Sequence, residues 1–200
     1  WRFQEESPLT GVAIGPDGTL YVCSGWGQLC ALNPDGSLRW CIHLGGMSPV
    51  TPAIAADGTL YIPVNVQAEG GTTGRLLRVD RAGQTIGTNA FLRAVQATPA
   101  LAADGTVWVV DASRQLSVLS HDGQLLAQGY FVACNQPTVI TSGGLVLVTT
   151  ETNGVIAFRS PPAATTGWPM GGRDSARSHR DTSSVLPAGP TAVSATTNEL

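Results

Sequence analysis

The chain has 200 residues, 42% of them hydrophobic and only 12% charged, and its 24 Gly and 13 Pro suit tight turns between half-buried strands better than long solvent-facing helices. A net charge of −3 supplies no field for nucleic acid or anionic lipid. All eleven basic residues are Arg, which excludes a Schiff-base, phosphate-loop or general-base lysine, and no apolar run approaches the ~20 residues that span a bilayer.

Trp1-Arg2-Phe3-Gln4 resembles Trp40-Cys41-Ile42-His43, and the step from Trp1 to Asp17 (16 residues) nearly equals that from Trp40 to Asp57 (17). The first four residues therefore read as the last strand of a preceding repeat, and the chain opens in mid-blade. Repeat one, about 7–44, has strands at Thr19–Ser24 and Gln28–Asn33 with period-two character, joined at Gly25-Trp26-Gly27. Asn33-Pro34-Asp35-Gly36 is a turn in which Pro sets φ, Asp caps and Gly accepts positive φ, and Ser37–Leu44 is the outer strand. Repeat two, about 49–92, keeps this order but inserts Gln67–Gly74, which reads as a flexible rim loop.

Repeat three, about 94–131, is the cleanest copy, with Trp108 in the place of a Tyr. Repeat four, from about Ala133, has Ser142-Gly143-Gly144 for Asp-Gly-Thr and ends its third strand at Ser160-Pro161-Pro162. Gly167-Trp168-Pro169-Met170 and residues 171–181 follow. From Thr182 to Leu200 the composition becomes Ser, Thr, Ala, Pro and Gly without period, the signature of a disordered tail or linker. Aligning Gly18, Gly58, Gly105 and Gly143 gives steps of 40, 47 and 38 by subtraction. A period of about 40 built from short strands is that of β-propeller blades. The expected organisation is propeller blades over 1–181 and a tail over 182–200.

Against this background the repeats resemble those of the pyrroloquinoline-quinone-like propeller superfamily, also called quinoprotein-alcohol-dehydrogenase-like. Its repeat form, P-x-x-x-x-D-G-T-x-Y-V followed by G-x-L-x-A-L-D-x-x-G-x-x-x-W, is matched by Pro52, Asp57, Gly58, Thr59 and Tyr61 in repeat two. In repeat one it is matched by Asp17, Gly18, Thr19, Tyr21, Val22, Leu29, Ala31, Leu32, Gly36 and Trp40. Trp168-Pro169-Met170 with Arg173, Asp174 and Arg177 looks like an element found where bacterial members begin or close the ring. The resemblance implies a tryptophan-docking motif in which Ala31, Gly36 and Trp40 lock neighbouring blades. Repeats two and three depart from it, with Gly87 and Ala127 in the place of Trp40 and Arg78 and Val118 in the place of Ala31. Blade locking is expected to be irregular.

The quinone enzymes of that superfamily hold calcium on carboxylate and amide oxygens and carry a vicinal disulfide over the cofactor. No Cys-Cys pair occurs among Cys23, Cys30, Cys41 and Cys134, and none forms C-x-x-C; three lie in one repeat, where a disulfide in an oxidising compartment and small buried hydrophobes are both open readings. Asp17, Asp35, Asp57, Asp104 and Asp122 sit beside turn glycines and read as turn caps, not as a D-x-D-x-D-G calcium loop. His43, His121 and His179 lack metal-ligand spacing, and no G-x-S-x-G elbow appears. No catalytic, cofactor-binding or metal-binding residue is assigned, and no cofactor is expected.

Three features mark candidate contact surfaces. Trp26, in its Gly-Trp-Gly turn, is either a partner anchor or packed on a neighbouring blade. Arg173 and Arg177, with His179 and Arg180, form the one basic cluster, for an acidic partner or for capping the last blade. Trp108 reads as inter-blade core.

The fold expected is therefore an all-β propeller of four-stranded antiparallel blades, about four of them present, belonging to a ring of six to eight blades, with a closed four-bladed ring as the alternative. The expected function is a non-catalytic binding or scaffold module of a bacterial secreted, periplasmic or surface protein. Its partners would be a protein or glycan and the remaining blades of the same propeller, with no nucleic acid and no membrane-spanning segment. The alternative is the C-terminal part of a quinone-dependent dehydrogenase whose cofactor site lies in blades outside this chain.

Overall fold

The structure is a computed structural model and describes residues 1–130, 138–141, 144–149 and 154–159. Fifteen strands and no helix form within them. The first sheet is a meander of β1 (Leu9–Ile14), β2 (Leu20–Ser24), β3 (Gln28–Leu32) and β4 (Leu38–His43). The second runs β5 (Ala53–Ile54), β6 (Leu60–Ala68), β7 (Gly71–Val79) and β8 (Thr85–Phe91). The third is β9 (Ala100–Leu101), β10 (Val107–Val110), β11 (Gln115–Leu119) and β12 (Leu125–Tyr130), and the fourth contains β13 (Val139–Ile140), β14 (Leu145–Thr149) and β15 (Val155–Arg159). Every strand pairs antiparallel with its sequence neighbour, so each sheet is a four- or three-stranded blade made from one stretch of chain.

The turn from first to second strand has one design in all four blades. In blade one the Gly15 N–H donates to Thr19 O (2.8 Å) and the Gly18 N–H to Gly15 O (3.0 Å), with Gly18 at φ 79°. A side chain at that φ would be strained, which is why glycine recurs there. The Asp before it accepts the N–H two residues on: Asp17 from Thr19 (3.1 Å), Asp57 from Thr59 (2.9 Å) and Asp104 from Thr106 (3.0 Å). Asp35 does the same for Ser37 in a third-to-fourth strand turn (2.9 Å). These four aspartates serve the backbone, as the sequence indicates. Asp122 differs, because Ser120 Oγ accepts the Gln124 N–H of its turn instead (3.0 Å). In blade four the residue closing the turn is Gly144, whose N–H donates to Thr141 O (3.0 Å) at φ 77°. The repeat aligns on Gly144 and not Gly143, so the step from Gly105 is 144 − 105 = 39 residues.

The Gln67–Gly74 insertion is not a loose loop. β6 and β7 continue their ladder outward to the Ala68–Gly71 pair, leaving only Glu69 and Gly70 as the turn. Thr72 Oγ1 donates to Gln67 Oε1 across the ladder (2.9 Å), and Gly71 takes φ 111°. The threonines favour strand, and a glycine-bearing two-residue turn matches strand twist, so the hairpin extends instead of fraying.

The blades stack face to face. Tyr21, Leu29 and Ala31 of blade one pack on Ile54, Leu60, Ile62 and Val64 of blade two. Tyr61 and Leu76 of blade two meet Leu101, Val107, Val109 and Leu119 of blade three. Trp108 and Leu116 of blade three meet Ile140, Val146 and Val148 of blade four. The middle strands β2, β3, β10 and β11 are therefore largely buried on both faces, whereas β14 alternates, β4 is half-buried and the outer strands β8 and β12 are largely exposed. Each large side chain removed from water in these layers contributes roughly 1.5–3 kcal/mol. The first strands lie innermost, β1 against β5 and β9 against β13.

Candidate functional site at the blade junctions and rim

One slot recurs at each junction. In blade one Trp40 lies opposite Ala31 in the β3–β4 register, tilted against Tyr21 with centroids 5.9 Å apart. Its indole covers Gly83 in the β7–β8 turn of blade two, where an added Cβ would come within 3.0 Å of the ring, and its Nε1–H donates to Arg81 O (3.0 Å). Trp1 repeats the arrangement on blade one, covering Gly36 and donating Nε1–H to Pro34 O (3.1 Å). Gly36 and Trp40 thus act at two different junctions, each meeting its counterpart from the adjoining repeat.

At the next junction the register places Gly87 opposite Arg78. The Arg78 guanidinium occupies the volume that a side chain at Gly87 would need and reaches over Gly123, the counterpart of Gly83. Its Nη1 donates to His121 O (3.3 Å), the carbonyl corresponding to Arg81 O, and Asn89 Nδ2 donates to Gly123 O (2.8 Å). The sequence displays the departure from the Trp40 pattern at Arg78 and Gly87; that a planar cation takes the indole's place was not legible there. The signal was the paired change, Ala to Arg on one strand and Trp to Gly directly across.

The same junction holds a polar cluster. Tyr61 Oη lies 2.8 Å from His121 Nδ1 and donates to His121 O at 3.0 Å, while His121 Nε2 is 3.1 Å from Asp57 Oδ2. Blade two's first turn is thereby tied to blade three's last. A small recess of about 180 Å³ opens beside it, walled by Ala55, Leu101, Ala103 and Gly105. Burial alone would raise the Asp57 carboxyl, but the Thr59 hydrogen bonds and the His121 and Arg81 charges outweigh it and hold it below the usual carboxylate range. Burial pushes the Tyr61 phenol well above its ordinary value, with the Asp57 charge adding to the effect. The cluster holds two turns together; sequence spacing hid it because Asp57 and His121 lie 64 residues apart.

Trp26 stands 66% exposed on the rim at the opposite end of blade one. Its backbone N–H donates to Ser7 Oγ (3.1 Å), and the Gly27 N–H closes the turn on Ser24 O (3.0 Å). The indole overhangs a cleft of about 420 Å³ that also includes Glu5, Glu6, Gln28 and His43. Beneath it Cys30 and Cys41, directly paired across β3 and β4, form a disulfide with Cα atoms 4.1 Å apart. Glu5 Oε1 approaches Cys30 Sγ at 3.4 Å. Glu5, Cys30 and Cys41 are the one cluster of metal-ligating residue types among the described residues, but the disulfide leaves no thiolate to bind an ion. Cys23 is free and buried, and burial pushes its thiol up to about 12.

Trp108 occupies the third junction, 6.3 Å from Phe158 between ring centroids. Arg173, Arg177, His179, Cys134 and the Trp168-Pro169-Met170 element lie outside the described residues, as does the 182–200 tail. No helix among the described residues is long and apolar enough to cross a membrane.

Consecutive antiparallel sheets, stacked by their faces with first strands innermost, define an all-β propeller. Solved structures of similar fold include BamB from Moraxella catarrhalis, with a TM-score of 0.65 and 17% identity over 80% of this chain and 52% of that one. A protein of unknown function from Bacteroides caccae matches with a TM-score of 0.54 and 16% identity over 80% of this chain and 63% of that one. BBS1N, solved in complex with ARL6DN, matches with a TM-score of 0.58 and 14% identity over 84% of this chain and 56% of that one. The chain thus spans less than two thirds of each of these structures. No family model matches the sequence, and no curated protein is similar to it.

Proposed function

We propose that the chain is a non-catalytic binding and scaffold module of a bacterial propeller protein with pyrroloquinoline-quinone-like repeats, working outside the cytoplasm as part of a ring of six to eight blades. It presents its rim to a protein or glycan partner. The observation that carries this reading is Trp26, a large aromatic held out of the core on a hydrogen-bonded Gly-Trp-Gly turn above a polar cleft. An exposed aromatic on a rigid turn is the side chain most able to anchor an interface. The Cys30–Cys41 bond supports an oxidising location. The likeness to BBS1N, a protein solved with a protein partner, supports the interaction role.

A photo-crosslinking amino acid at position 26, introduced into the full-length protein in its own cells, tests the reading. A single polypeptide or glycan adduct, absent when the crosslinker sits at exposed Arg2, is the expected result. Absence of any adduct, together with dye reduction by the full-length protein loaded with quinone and calcium, would overturn it in favour of a dehydrogenase.

A further inference from the structure

The cleft beneath Trp26 carries an uncompensated charge. Two of its lining residues, Glu5 and Glu6, are acidic, and none is an arginine. The chain has no lysine to serve instead. Glu5 is half-buried, and its Oε1 faces Cys30 Sγ at 3.4 Å. That sulfur is bonded to Cys41 and has no proton to donate. Glu6 is exposed and has no hydrogen bond or ion pair among the described residues. His43, on the same wall, is not a counter-charge, because its Nδ1 accepts the Gly45 N–H (3.2 Å), which only a neutral imidazole can do. Asp17 and Asp57, by contrast, each have a basic partner, Arg39 at 3.5 Å and His121 at 3.1 Å.

Trp26 narrows what can supply the missing charge. Its turn is fixed by the Ser7 and Ser24 hydrogen bonds, so the indole offers a positioned face. The quadrupole of such a face attracts a cation, and a guanidinium, being planar, also stacks flat on it. The same group makes strong charge-assisted hydrogen bonds to carboxylates. A neutral sugar stacks on an indole as well, but it would cover Glu5 and Glu6 without compensating them, and desolvating an unpaired charge is costly. The combination of indole and free carboxylates therefore selects a polypeptide with an exposed arginine over a glycan.

We propose that the cleft beneath Trp26 receives an arginine side chain of a polypeptide partner, its guanidinium lying against the indole and compensating Glu5 and Glu6. This rests on the reading of Trp26 as a rim anchor and narrows the partner to a protein.

The probe is the tripeptide Gly-Arg-Gly, capped at both ends so that the guanidinium is its one charge. Titrated at low salt into the isotope-labelled full-length protein, it is expected to shift the NMR signals of the Trp26 indole N–H and the Gly27 amide, with a dissociation constant on the order of 0.1–1 mM for a ligand so small. The same peptide with citrulline for arginine, which keeps the shape and loses the charge, is expected to bind roughly tenfold more weakly, and so is the arginine peptide to Trp26→Ala, followed at Gly27. Glu5→Gln and Glu6→Gln are each expected to weaken binding about threefold or more, and Glu6, being exposed, serves alone should the Glu5 variant not fold. Glu69→Gln, which removes a charge from the exposed turn between β6 and β7, is expected to bind as the parent does. The proposal would be overturned by no shift at millimolar peptide, by equal binding of the citrulline peptide, by undiminished binding of folded Trp26→Ala or Glu6→Gln, or by an equal loss with Glu69→Gln. A glycan adduct in the crosslinking experiment at position 26 would also overturn it while leaving the rim reading in place, whereas neither adduct nor peptide binding would end both.

Discussion

Trp40 is the place to measure what one junction contributes. Trp40→Ala removes a partly buried indole that packs on Tyr21 and the core shared by blades one and two and donates to Arg81 O at 3.0 Å. A fully buried Trp truncated to Ala costs about 3–5 kcal/mol; with part of the ring in water and the hydrogen bond contributing about 0.5–1.5, the expected loss is about 2–3 kcal/mol. Urea unfolding followed by far-UV circular dichroism reads this as a lower midpoint at unchanged slope. Trp26→Ala is the control, expected within about 0.5 kcal/mol because that ring is exposed. A double-mutant cycle with Gly83→Ala isolates the contact. The new methyl would sit 3.0 Å from the Trp40 ring at φ 84°, so part of its cost is collision and part is backbone strain. Only the collision disappears once Trp40 is gone, and the two losses should fall short of additivity by about 0.5–1.5 kcal/mol. Equal midpoints for Trp40→Ala and Trp26→Ala, or strict additivity with Gly83→Ala, would refute the slot as a source of stability.

Arg78→Ala should destabilise the second junction by about 1–3 kcal/mol, since it opens the slot and removes the donor to His121 O, and adding Gly87→Trp should restore part of that loss in the same urea assay. Reducing Cys30–Cys41, which closes an 11-residue separation, should cost about 3 kcal/mol by chain-entropy reasoning and lower the melting temperature, whereas native Cys23 should resist iodoacetamide until the protein unfolds, because burial holds its thiol at about 12. Asp57 is held below its ordinary value in the folded state, so its contribution is complete above the unfolded carboxylate pKa near ~3.9 and is lost as pH falls through the lower folded value. Asp57→Asn should therefore flatten the acid limb of the stability profile, read from melting temperatures across the acid range; an unchanged limb would remove Asp57 from it.

The period was legible because each blade pays its backbone obligations with the same few residues. Asp-Gly-Thr closes the first turn by one hydrogen-bond pattern wherever it occurs, and that pattern depends only on residues within four positions of each other. Blade four lacks the Asp, and the alignment there slipped by one, from Gly144 to Gly143, because two adjacent glycines offer the same freedom on paper. The Gln67–Gly74 hairpin was misread for a related reason: Gly70-Gly71 signals a break, while the ladder around it is held by threonines whose partners lie across the strand. The pairing of Cys30 with Cys41 needed the register of β3 on β4, which period-two patterning brings close without fixing. Least legible was the Asp57–His121–Tyr61 cluster, since nothing local links a turn cap to a histidine in another blade.

The junctions share a cause that explains both their likeness and their differences. A third-to-fourth strand turn leaves a positive-φ glycine and an outward carbonyl at Pro34, Arg81 and His121, and any planar donor that reaches them ties one blade to the next. Because the tie is made between neighbours only, each can change without disturbing the others, as expected of a quasi-one-dimensional array. Indole serves twice and guanidinium once. Loss of the indole opposite Val118 is therefore tolerated by the fold, which still closes its core there through Ile140, Val146 and Val148.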